Sequence, residues 1–473
     1  MYKKTMYLLF GLALLGLRLM IHFSQALIPG INGGYYPLQV RSILEKGHLG
    51  FPDMPLYFYL NAGVVQVISF FSTRELDQVI IFTSKILDSC SLSFLMIPLY
   101  LIQRDIIKSP LSTFFEISLL AFATLSFAPI FLTADLQKNS FALPLMLFHF
   151  YYLFLFFQNH SFKKGLLALL FLLAVGLTHF GVFSVTMLVF LLSLFYFYGR
   201  RAFLPMLGLA LMALLLIYGF DAKRAYRLLS IGTALFHQSI FRLGWMHIPA
   251  LLHFLLNTGL IAYVFFQIRE NPARISHFQR KLLQVLASAV FILSFPLIEP
   301  SFMMRLILII FLPQVLLLSL SYKYLFPQLR QVFSGLLLLM AVASLSLTFI
   351  NPKQPTMSRE AYADLLNLKE KLNKPDQTLI TARHGWEWWI GWQIRCKIGQ
   401  ARALRQATFS NYSQVIHLQA AKQQSPDPTP PRGPFQEPFD SLLNAPFYHS
   451  DYFKTTELKR EDLQSLSKRR FHP

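Results

Sequence analysis

Residues 30–60 read GINGGYYPLQVRSILEKGHLGFPDMPLYFYL, a polar and conformationally loaded stretch between two strongly apolar runs. Gly33 and Gly34 open backbone geometries closed to other residues. The YYPLQVRSILEKG segment sends Leu38, Ile43 and Leu44 to one side and Gln39, Arg41 and Lys46 largely to others, the pattern of a helix lying on a membrane surface. An ordinary capped interfacial helix explains the same pattern without any activity.

What surrounds this stretch decides the fold class. Of 473 residues, 54% are hydrophobic and 14% charged, against about 25% charged in soluble domains. Apolar windows of about 20 residues recur through the first three quarters, enough to cross a hydrocarbon core of roughly 30 Å. The expected fold is an all-α polytopic integral membrane bundle. The formal charge of +20 is scattered through short loops, which fits the positive-inside bias and not a nucleic-acid surface. Cys90 and Cys396 suggest no disulfide framework.

Lys3 and Lys4 precede the first apolar run, Met6–Pro29, so the N-terminus reads as cytoplasmic and the first external loop as residues 30–78. Pro55–Ser72 is short for a crossing and fits a re-entrant helix equally. Further crossings are expected at Val79–Leu101, Glu116–Thr133, Asn139–Phe157, Gly165–Leu177, Gly181–Tyr198, Ala202–Phe220, Ala250–Gln267, Leu282–Ile298, Leu306–Ser321 and Val332–Ile350. That makes about eleven transmembrane helices, with the inner segments denser in Lys and Arg than the outer loops. The basic stretch DAKRAYRLLS, residues 221–230, falls outside on this arrangement and runs against it.

The composition changes at residue 351. Ser358 is positioned to cap a charged amphipathic helix. TLITA and YSQVIHLQ read as strands, HGWEWWIGWQI as an aromatic segment near the interface, and SPDPTPPRGPFQEP as a Pro-rich loop. Residues 1–350 therefore read as a transmembrane domain. Residues 351–473 read as a small external α/β domain with a flexible tail, extracytoplasmic in a plasma membrane protein.

Four polar clusters fall at the expected outer surface. Asn32, Tyr35 and Tyr36 group with Asp53. TADLQKN brings Asp135 and Lys138, either a helix-end ion pair or a carboxylate at an apolar boundary able to act as general base. LTHFG carries His179, a residue type more often hydrogen-bonded structurally at such a place. IEPSFMMRL carries Glu299 and Arg305, where the guanidinium suits a phosphate and a local salt bridge is the plain alternative. Lys85 and Asp88, three apart within a crossing, read as a mutual pair. No Walker loop, dinucleotide fingerprint, HExxH or Cys/His metal spacing occurs.

Together these pieces resemble the membrane glycosyltransferases of the C superfamily, which includes protein mannosyltransferases, the aminoarabinose transferase of lipid A and oligosaccharyltransferases. The resemblance rests on the pattern from Gly34 to Leu60, on Asp135 in ADLQKN, and on ARHGWEWWIGW at Ala382–Trp392. It implies transfer of a sugar from a polyprenyl-phosphate or polyprenyl-diphosphate donor to an envelope lipid, glycan or protein at the outer face of the membrane. On that implication Asp135 and Asp53 are the catalytic candidates. Asn32, Tyr35, Tyr36, Lys138, His179 and Arg305 are the substrate-binding ones, Arg305 by chemistry and placement. The resemblance leaves open whether a divalent cation takes part and names no other cofactor. Asn32 departs from the family pattern, which has Asp there; an amide is no base and a poorer ligand for a hard cation. The alternatives are a transporter or flippase of lipid-linked saccharides, or a non-catalytic member of an envelope polysaccharide machine.

Overall fold

The computed structural model describes residues 2–220, 226, 248–270, 275–296, 298, 300–399, 404, 408–421 and 446–459. Glu299, most of 221–230 and the Pro-rich loop lie outside them. In chain order the helices are α1 (Tyr2–Phe23), α2 (Tyr35–Lys46), α3 (Leu56–Phe71), α4 (Leu76–Ser93), α5 (Met96–Ile102), α6 (Thr113–Leu125), α7 (Phe127–Phe131), α8 (Gln137–Asn159), α9 (Phe162–Gly176) and α10 (Phe180–Tyr198). There follow α11 (Phe203–Phe220), α12 (Ile248–Glu270), α13 (His277–Leu293), α14 (Pro300–Ser321), α15 (Pro327–Ile350) and α16 (Arg359–Glu370). Then come β1 (Thr378–Ala382), α17 (Trp386–Ile394), β2 (Lys397–Gly399), α18 (Thr408–Asn411), β3 (Gln414–Ala420), β4 (Tyr448–His449) and β5 (Phe453–Glu457).

Among the described residues, seven helical segments are long and apolar enough to cross a membrane: Lys3–Phe23, Leu76–Ile107, Thr113–Phe131, Gln137–Asn159, Phe180–Ala202, Phe302–Tyr324 and Pro327–Ile350. The chain is a multi-pass membrane protein by this measure. The other four segments expected to cross fall on α9, α11, α12 and α13. Helix α3, at 16 residues, reaches about 24 Å, short of a hydrocarbon core of roughly 30 Å.

The chain divides into two compact units. The helical unit comprises residues 1–21, 51–63 and 86–352. Within it α8 packs along α9, α6 along α15, and α13 against α10 and α14. Local sequence sets the starts of these helices: the hydroxyl of Ser112 accepts from Phe115 N before α6, and that of Ser276 from Gln279 N before α13. Phenylalanine serves two purposes here. Phe115, Phe150 and Phe154 are buried in the core, whereas Phe162 stands out from the protein surface.

The mixed unit comprises residues 22–50, 64–85 and 353–473. Its five-stranded sheet has the order β2-β1-β3-β5-β4, with β1 parallel to β2 and β3, and β5 antiparallel to β3 and β4. Ser358 caps α16 by accepting from Ala361 N, as its position in the sequence foretells. The aromatic segment is the helix α17, with Trp389 and Trp392 fully buried.

The reading of α2 as a surface-lying helix does not hold. Gln39 and Arg41 are buried in the mixed unit. The Arg41 guanidinium lies 3.4 Å from the Trp392 ring centroid, donates to the Trp392 carbonyl at 2.6 Å, and bridges to Asp77 at 3.2 Å. Burial lowers its pKa to about 10, with Asp77 opposing. The group stays charged at neutral pH, so its pairing compensates the burial.

Candidate functional site

In the helical unit the site begins at the turn between α7 and α8. Ala134 sits there at φ +70°, an uncommon conformation for a residue with a side chain. Its N–H donates to Asp88 Oδ2 at 2.8 Å. Asp88 in turn faces Arg18 at 2.8 Å, and both side chains are fully buried. Arg18 also donates to the Pro129 carbonyl, Thr133 Oγ1, Ser140 Oγ and the Asp88 carbonyl, at 2.9 to 3.2 Å. One guanidinium thus ties α1, α4 and both sides of the turn together. A buried cation is tolerable only when it is bonded in this way. The expectation of a Lys85–Asp88 pair is corrected: Asp88 takes Arg18, and Lys85 donates to the carbonyls of Gln25 and Ala26. Helical i,i+3 spacing suggested a local partner where the fold supplies a distant one.

That turn delivers Asp135, Gln137 and Lys138. Lys138 forms a buried ion pair with Asp53, and its ammonium lies 5.4 Å from the Phe58 ring centroid. Asp53 also accepts from its neighbour Met54 N at 2.8 Å. Tyr57 OH donates to Gln137 Oε1 at 2.8 Å, and Gln137 Nε2 donates to the Ala134 carbonyl at 3.3 Å. Asp135 is 8% exposed, on the same turn as this pair. Leu56 N donates to the Leu177 carbonyl at 2.9 Å, joining the Asp-Met-Pro-Leu-Tyr segment to the turn that carries His179. The result is a buried polar patch built from residues 53–57 and 133–138.

The other candidates fall as follows. His179 is the N-cap of α10, its Nδ1 accepting from Val182 N at 3.1 Å. Arg305 is exposed on α14. Asn32, Tyr35 and Tyr36 belong to the mixed unit. There the carbonyl of half-buried Asn32 accepts from Tyr35 N at 3.0 Å, and the Tyr35 ring meets Trp388 edge-on at 4.9 Å. Tyr35 OH accepts from Gln39 Nε2 at 3.0 Å.

The glycines beside Asn32 are there for space. A Cβ on Gly33 would stand 2.1 Å from the Ile28 carbonyl oxygen, and one on Gly34 would stand 2.9 Å from Trp389. Gly33→Ala is expected to lower stability by about 3 kcal/mol, the upper end for overpacking, because a backbone oxygen cannot step aside. Gly34→Ala meets a side chain that can shift and should cost less. Thermal melts of the two variants in detergent test the order; an unchanged Gly33→Ala melting temperature would contradict it.

Sequence reasoning missed Arg18, Tyr57 and Gln137. Arg18 was open to detection as an arginine inside an apolar run, which is itself a signal. Among the described residues no group of three or more His, Cys, Asp and Glu side chains could hold a metal ion. No protein-family model matches the sequence, and no curated protein matches it.

Proposed function

We propose that this protein is a membrane glycosyltransferase of the C-superfamily type, moving a sugar from a polyprenyl-phosphate donor to an envelope lipid, glycan or protein. The observation that carries the reading is the buried Asp53–Lys138 pair held on the same turn as Asp135. Ionisable groups kept at an apolar boundary are costly, and a carboxylate within reach of an acceptor hydroxyl or amine can take its proton. In the proposed reaction Asp135 takes the proton of the acceptor hydroxyl or amine. The freed lone pair attacks the anomeric carbon, and the bond from that carbon to the phosphate oxygen breaks. The electron pair leaves on the polyprenyl phosphate, and the configuration inverts. Lys138 pairs with Asp53 and so fixes the 53–57 segment beside the turn, while exposed Arg305 faces outward to meet a donor phosphate.

The proposal includes a cytoplasmic N-terminus, about eleven crossings and an extracytoplasmic domain from residue 351. The amide at Asn32 favours a second reading, a non-catalytic member of the same kind of assembly. Incubating the purified full chain with labelled polyprenyl-phosphate sugars and envelope acceptors separates the two. Label appearing on an acceptor, and lost in Asp135→Asn, supports the enzyme. Absence of transfer across the donor panel supports the non-catalytic reading.

Sidedness has its own test. Burial pushes the Cys396 thiol up to about 12, so almost no thiolate is present at pH 8. Cys396 is expected to react with maleimide at least a hundredfold more slowly than an ordinary thiol of pKa about 8.5. A cysteine placed at exposed Asn373 should label rapidly from outside intact cells. Labelling only after the membrane is breached would reverse the proposed orientation.

A further inference from the structure

A polar cavity of about 350 Å³ lies in the helical unit where Leu76–Ile107 and Phe302–Tyr324 end. It is lined by Lys108, Ser109, Gln279, Tyr322, Lys323 and Arg330 among others, with three cations and, among the described residues, no carboxylate in the lining. The chain path separates it from the Asp53–Lys138 patch. From Asp88, bonded at that patch, to Lys108 is most of a membrane-crossing segment, and α6 and α7 then lead back to Ala134.

The walls of this cavity are built, not accidental. The last turn before it, Gln103–Ile107, is a π-helix, a device common at functional places. Lys108 follows at φ +54°, which turns the chain sharply. Gln103 Nε2 then holds the Ser109 carbonyl at 3.1 Å. Tyr322 OH accepts from Ser112 N at 3.1 Å, and the Arg330 guanidinium stacks 4.4 Å from the Tyr322 centroid. Arg330 also donates to the Leu325 carbonyl at 2.9 Å, and Lys323 to Gln279 Oε1 at 2.9 Å. Asp105, the acidic residue of the same turn, is held by Arg104 at 2.6 Å and Tyr151 at 2.8 Å and is not in the lining.

Ser109 supplies the pointer to a ligand. It is 9% exposed and its hydroxyl has no hydrogen-bond partner among the described residues. A buried hydroxyl without a partner costs free energy, and Ser109 is one of the residues around the cavity with its three cations. An anion with several oxygens would satisfy the hydroxyl and the cations together. Placement at the ends of crossing helices puts the cavity at headgroup depth, where basic pockets between helices hold anionic headgroups.

We infer that this cavity binds a phosphate-bearing anion, either the headgroup of an anionic phospholipid or free phosphate. The inference is independent of the proposed glycosyl transfer. The test uses the full chain purified in neutral detergent, with binding read by native mass spectrometry and by melting temperature. The probes are phosphatidylglycerol, phosphatidylcholine and inorganic phosphate at constant ionic strength. Phosphatidylglycerol retained in preference to phosphatidylcholine, and not displaced by phosphate, identifies a headgroup site. Stabilisation by phosphate alone, with displacement of phosphatidylglycerol, identifies a free-phosphate site. Lys108→Gln is expected to weaken the bound anion about fivefold, and Ser109→Ala to weaken it further. Lys108 is exposed, so its variant should keep the ligand-free melting temperature. Equal retention of both lipids with no effect of phosphate overturns the inference, as does wild-type binding by the Lys108→Gln/Ser109→Ala variant.

Discussion

Arg18→Met is expected to cost about 3–5 kcal/mol of stability, enough to unfold a typical chain or strip it from the membrane fraction. The substitution preserves much of the volume of the side chain, so the loss is electrostatic. It removes the ion pair to Asp88 and the bonds to Pro129, Thr133 and Ser140, and it leaves a buried carboxylate facing methionine. The size of the penalty comes from that stranded charge more than from the bonds themselves. Arg18→Met/Asp88→Asn should therefore recover most of the loss, because the amide is neutral yet can still accept from Ala134 N. Thermal unfolding of the three proteins in one detergent measures this. Equal melting temperatures for Arg18→Met and the wild type would refute the account, as would a double variant no better than the single.

Asp135→Asn carries the largest expected effect on turnover, a loss of about 10²–10⁴-fold, the range for removing a general base. The melting temperature should barely move, since the amide is nearly isosteric and the turn is held by Ala134, Gln137 and Arg18. Asp53→Asn is the informative contrast. It removes the carboxylate from the buried Lys138–Asp53 pair and should lower both stability and rate. Asp135→Asn turning over at the wild-type rate would remove Asp135 from the proposed chemistry while leaving the fold untouched.

Much of the architecture is legible in the amino-acid order. Long apolar runs stand out because their length dominates every other signal, and among the described residues seven of the helices they form reach membrane length. The Ser358 cap and the TLITA strand were equally plain, since both depend on neighbours a few residues away. Partnerships were not. Lys138 lies 85 residues from Asp53, and Arg18 lies 70 from the Asp88 carbonyl it bonds; local spacing gave no sign of either and suggested Lys85 for Asp88. The burial of Gln39 and Arg41 was hidden for the same reason, because the ring that covers Arg41 is Trp392, 351 residues later. Periodicity reports which face of a helix is apolar and is silent on whether an indole will cover the polar one.

The Arg18 network also has a temporal side. A ribosome adds roughly 5–20 residues per second, so Arg18 is made about 4–14 s before Asp88 and still longer before Ser140. During that interval a guanidinium on the first membrane helix has none of its eventual partners. An arginine at the centre of a lone membrane helix costs about 2.5–3.5 kcal/mol on insertion scales, and less towards the end of α1, where Arg18 lies. The first helix is therefore poorly suited to settle in lipid alone. Stable placement of α1 is therefore expected to wait for α4 and the turn before α8, which bring the partners of Arg18.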